Sequence, residues 1–159
     1  MAVDTSGMTS VDGLRAPKEQ DDLGGYALAQ QAENFLRWHT WCEDIKAGYV
    51  GLVFEGILGV FYFEISRGRP DVDDALWVVI GDLPPAYIVC DECPNAAAAL
   101  EGYVGEMWRW VEAAREERPV DDLIPVNVPP TTENADLLGS RLTFIEEKIL
   151  SQYEEDLEA

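Results

Sequence analysis

Apolar and polar positions follow different periods along the chain, and the changes of period mark its elements. From Tyr26, the apolar residues Leu28, Phe35, Trp38, Cys42 and Ile45 fall on one side of a helix, which Gly48 closes. Tyr49 to Gly56 fits strand and helix patterns equally and reads as a strand or a buried turn. Three aromatic and β-branched runs follow: Val60 to Ile65, Leu76 to Ile80, and Ala86 to Cys90. Arg67-Gly68-Arg69-Pro70 stops the first, and Gly81-Asp82-Leu83-Pro84-Pro85 stops the second. Short connections between neighbouring runs predict an antiparallel meander. All three runs are apolar almost throughout, so both faces of the sheet need covering, by a second helix layer or a dimer contact.

The remainder is helical. Pro94 and Asn95 open a helix whose stripe is Leu100, Val104, Met107, Val111 and Ala114, and Pro119 ends it. An extended link runs through Pro125, Pro129 and Pro130. Thr131 or Thr132 then caps a last helix buried along Leu138, Leu142, Ile145, Ile149 and Tyr153. These elements predict an α+β fold: a small antiparallel sheet of three to four strands packed with one N-terminal and two C-terminal helices. Residues 1–22 lack hydrophobic periodicity and read as a flexible acidic arm, which leaves residues 23–159 as a single domain.

Charge narrows the function classes. Thirty-one acids against eleven bases give a net charge of −20 on 159 residues, with a hydrophobic share of 47%. That share is too high for a charge-driven disordered chain. The acidity excludes direct nucleic-acid binding by phosphate neutralisation, and also adhesion to an anionic membrane surface. Met1 to Leu14 lacks a cationic start and an apolar run, and three cysteines make an odd number. Both observations point to the cytoplasm.

Candidate chemistry is sparse. Cys90-Asp91-Glu92-Cys93-Pro94 lies after a strand and before a helix, a placement in which a helix N-terminus stabilises a thiolate. The intervening acids oppose thiolate formation. His39 and Cys42, three apart on the predicted first helix, complete a Cys3His set with Cys90 and Cys93, a known structural zinc combination. The simpler reading makes Cys42 a buried thiol and His39 a core-edge histidine. Asp71-Val72-Asp73-Asp74 lacks the glycine and distal glutamate of a calcium loop and reads as a solvated turn. Ser140 sits inside a predicted helix without a nucleophile elbow, and no phosphate-binding glycine motif occurs. No catalytic residue and no cofactor is assigned.

Five tryptophans are many for this length. Trp38 and Trp77 fit core positions, whereas Trp41 projects off its helix stripe and Trp108 and Trp110 cannot both be central on one face; acids border some of these rings, as in Trp41-Cys42-Glu43-Asp44 and Glu106-Met107-Trp108. They read either as core edges and a homodimer seam or as an anchor patch for a partner. The reading that follows is a non-enzymatic small acidic binding protein, of the type that inhibits or confers immunity to a basic protein partner. The alternative is a small zinc- or thiol-dependent protein using Cys90-x-x-Cys93. A solubility or salt-adaptation role accounts for the acidity equally well: eight of the acids fall in Glu133 to Glu158, largely opposite the apolar stripe.

Overall fold

The computed structural model describes residues 8–10, 21–39, 41–54, 57–67, 75–81, 83–89, 94–123, 126 and 128–158. The fold is α+β. A two-residue strand, β1 (Thr9–Ser10), lies within the expected N-terminal arm. Helix α1 (Asp21–Trp38) precedes the strands β2 (Cys42–Phe54), β3 (Leu58–Arg67), β4 (Ala75–Gly81) and β5 (Ala86–Val89), after which come α2 (Ala96–Arg115) and α3 (Thr132–Phe144). Strands β2 to β5 form an antiparallel meander in chain order. Strand β1 pairs with Val50 and Tyr49 on the other edge of β2. From Ile145 the last helix continues as a π turn to Ile149, a 3-10 turn (Leu150–Tyr153) and α4 (Glu154–Glu158).

Both faces of the sheet are covered, which explains why β3 and β4 are apolar throughout. Side chains alternate across a strand. Phe61, Phe63, Ile65, Leu76, Val78 and Ile80 therefore face one way and pack with Leu28, Ala29, Ala32 and Leu36 of α1. Leu58, Val60, Tyr62, Trp77 and Val79 face the other way and meet α2 and the last helix. A second helix layer does what a dimer contact was the alternative for.

Helix α1 ends earlier than its periodicity suggested, and it buries a different face. The expected stripe of Leu28, Phe35, Trp38, Cys42 and Ile45 is replaced by Leu28, Ala29, Ala32 and Leu36. At about 100° per residue, Trp38 is turned roughly 135° from the middle of that set. It is 81% exposed rather than in the core. Ala29 and Ala32 decide the face because small side chains let the helix lie close on the aromatic sheet.

Residues 42–48, expected in that helix, belong to β2. This strand spends thirteen residues where β3 spends ten, and its register shifts leave Glu43, Lys46 and Gly51 without opposite numbers. Each bulge inverts the in–out alternation, so neither a strand nor a helix period survives in the sequence. Gly51 is required at its bulge: a Cβ there would come within 2.7 Å of both the Ala96 Cβ and the Val60 carbonyl oxygen. The N-terminus of α2 thus rests directly on the β2 backbone.

The C-terminal helices follow the sequence reading closely. Asn95 caps α2 by accepting from Ala98 N at 2.8 Å, and Thr131 caps α3 by accepting from Asn134 N at 3.1 Å. The predicted stripes are buried, apart from the half-buried Tyr153. Helix α2 closes with Glu117 in the left-handed region at φ 58°. There Arg118 N donates to Ala113 O and Glu117 N donates to Ala114 O, the 6→1 and 5→2 pair of a Schellman end. Tyr103, fully buried on α2, donates its hydroxyl to Pro84 O at 2.6 Å and so ties the β4–β5 connection to the core.

Candidate functional site

Helix α1 ends where the chain turns into β2, and this junction gathers the most distinctive side-chain cluster of the fold. His39 follows the last helical residue, and its Nδ1 lies 2.9 Å from Phe35 O. A carbonyl only accepts, so Nδ1 carries the hydrogen. The imidazole is surrounded by rings: Trp41 at 4.7 Å, Phe35 at 4.9 Å, Trp38 at 5.3 Å and Tyr87 at 5.4 Å between centroids. Trp41 and Tyr87 also meet edge to face at 5.1 Å. Tyr87 reaches the cluster because β5 presents it on the α1 side of the sheet, opposite Val78. Trp41 is buried, while Trp38 and Tyr87 (41% exposed) open the cluster to solvent.

Acids border the cluster. Glu43 and Asp44 are exposed at the start of β2, and Asp44 Oδ1 lies 3.5 Å from Arg37 Nη1 on the last turn of α1. Cys42 is buried beside them, its thiol 3.9 Å from Asp44 O. Burial pushes this thiol's pKa up; Arg37 opposes the shift and Asp44 adds to it. A thiol held protonated and shielded is a poor nucleophile.

Of the candidate metal set His39, Cys42, Cys90 and Cys93, only the first two lie among the described residues. His39 and Cys42 do not share a helix face, because α1 stops at Trp38 and Cys42 opens β2. Among the described residues no group of three or more His, Cys, Asp and Glu side chains is placed to hold a metal ion. Cys90 and Cys93 lie outside the described residues, as does Asp71 to Asp74. Ser140 belongs to the helical layer across the sheet from His39, so the two do not meet.

The other tryptophans have structural tasks. Trp77 and Trp110 are buried. Trp108 donates its indole N–H to Glu146 Oε1 at 2.7 Å and lies over Gly139, where a Cβ would stand 3.4 Å from its ring. It joins α2 to the π turn of the last helix. On that side of the molecule, Ile57, Leu83, Leu137 and Phe144 line an open apolar groove of about 410 Å³. The aromatic cluster had a partial signal in the sequence, in the spacing of Phe35, Trp38, His39 and Trp41. Tyr87 had none, since only the pairing of β5 with β4 brings it there.

No protein-family model, curated protein or solved structure matches the chain. No helix among the described residues is long and apolar enough to cross a membrane.

Proposed function

We propose that this chain is a non-enzymatic binding protein whose negative field attracts and holds a basic protein partner. The observation that carries the reading is the disposition of charge. Arg37, Arg109, Arg115 and Arg118 each form an ion pair within the chain, with Asp44, Glu106, Asp136 and Glu116. Four of the eleven bases are thereby paired within the chain, while the acids outnumber the bases by 31 to 11. No charged side chain among the described residues is buried, so the acids described there are at least partly open to solvent. A surface of that kind speeds encounter with a cationic protein and rejects anionic ones.

The test is capture by the immobilised protein from a lysate of its host. Basic proteins are expected to be retained at low ionic strength and released at about 1 M salt, where the Debye length falls to about 3 Å. A specific partner that is neutral or acidic, or one whose retention ignores salt, overturns the reading.

A further inference from the structure

We infer that the aromatic cluster at the end of α1 is the docking point for that basic partner, and that Trp38 and Tyr87 receive an arginine side chain from it. The inference rests on the proposed binding of a basic protein and adds the place and the chemistry.

Trp38 is the first ground. The chain buries Trp77 and Trp110 completely or nearly so, yet leaves Trp38 81% exposed. The ring is nevertheless held: it meets His39 edge to face at 5.3 Å and 89°, and His39 is fixed by its bond to Phe35 O. His39 in turn contacts Trp41 and Tyr87. An exposed aromatic surface braced from below loses little conformational entropy on binding, and Trp and Tyr dominate interface hot spots for that reason.

Charge complementarity selects the occupant. Glu43 and Asp44 stand beside the cluster, and Glu33 lies one turn back on α1 from Arg37. The neighbouring basic residues are Arg37, which Asp44 engages at 3.5 Å, Lys46 at the second bulge of β2, and Arg67, which pairs with Cys42 from β3; the acidity that draws the partner is therefore that of the chain as a whole, at a net charge of −20. The C-terminal end of the 18-residue α1 adds the negative pole of its dipole at Trp38. A guanidinium stacks flat on an indole or phenol ring while its edge donates to a carboxylate, which a lysine ammonium does less well. A second copy of this chain is disfavoured as the occupant, because it would bring another net charge of −20 to the same place.

Nona-arginine and nona-lysine peptides, titrated into the whole protein at low salt, test the assignment. The wild type is expected to prefer the arginine peptide. Trp38→Ala is expected to weaken arginine-peptide binding about three- to tenfold, leave the lysine peptide nearly unaffected, and keep the salt dependence. Because Trp38 is exposed, the variant's far-UV circular dichroism should match the wild type, and Trp38→Phe should recover part of the arginine preference. Phe144→Ala, across the sheet, should leave both affinities unchanged. If Trp38→Ala binds both peptides as the wild type does, or Phe144→Ala weakens binding equally, the docking assignment is overturned and the charge-based function stands. If the wild type binds neither peptide, both are overturned. A dimer in sedimentation that Trp38→Ala dissociates would make the patch a self-interface and overturn the assignment as well.

Discussion

Tyr103→Phe separates two contributions of one buried hydroxyl, because they depend differently on pH. At neutral pH the variant loses the 2.6 Å bond from Tyr103 to Pro84 O. A net hydrogen bond contributes about 1 kcal/mol, and since Pro84 is half-buried, water can reach the vacated carbonyl and hold the loss near that value. Burial pushes the Tyr103 pKa upward, so the native state keeps it neutral under conditions that ionise a tyrosine in the unfolded chain. A folded-state pKa above the unfolded one gives stability that is complete below the unfolded value and lost as pH rises past it. With an unfolded pKa of about 10, the wild type loses about 1.4 kcal/mol from this residue by about pH 11, and the Tyr103→Phe variant loses none.

Every other ionisable group is common to the two proteins and drops out of the difference. The wild type's advantage of about 1 kcal/mol should therefore shrink above about pH 10 and reverse at about pH 10.7. Urea midpoints followed by far-UV circular dichroism from about pH 7 to about pH 11 measure the gap. A gap that stays constant over that range would refute the claim that the fold holds Tyr103 neutral. No gap at neutral pH would refute the energetic role of its bond to Pro84.

Three further outcomes follow from local geometry. Gly81→Ala should destabilise by at least about 2–3 kcal/mol in chemical denaturation, since φ is 144° and a Cβ would run into the Ile57 carbonyl oxygen; a stability equal to wild type would refute the strain argument. Glu117→Gly should raise stability by about 0.5–1 kcal/mol, because glycine adopts the left-handed Schellman position without the Cβ penalty; thermal melts that fall instead would show that the side chain has a compensating role. In a Cys90→Ser/Cys93→Ser background, Cys42 should react with an aromatic disulfide reagent only as fast as the protein opens, because its thiol is buried with a raised pKa. Rapid labelling of the folded protein would contradict that.

Much of the fold was legible because local patterns and tertiary burial agree. Runs such as Val60 to Ile65 are apolar on both faces, and that property alone demands covering layers on both sides of the sheet. The stripes of α2 and the last helix were equally readable, since each helix has one apolar face and a side-chain cap at its start. The α1–β2 region was not legible. Three bulges scramble the period of β2, and alanines rather than large apolar residues mark the buried face of α1.

The candidate site divides in the same way. His39, Trp38 and Trp41 stood out in the sequence, but as members of a helix that in fact ends between them. Composition by itself determined the sign of the chain's own net charge, because 31 acids against 11 bases hold for every conformation of the chain. Sequence by itself also determined the layered α+β architecture, through periodicities set by the backbone geometry of helices and strands. Only the tertiary structure decided which aromatic side chains are buried and which are presented. That choice depends on which face of α1 fits the sheet most closely, and on a β4–β5 register that brings Tyr87 to His39 across 48 residues of chain. Close packing is a property of surfaces in contact, and no single segment encodes it.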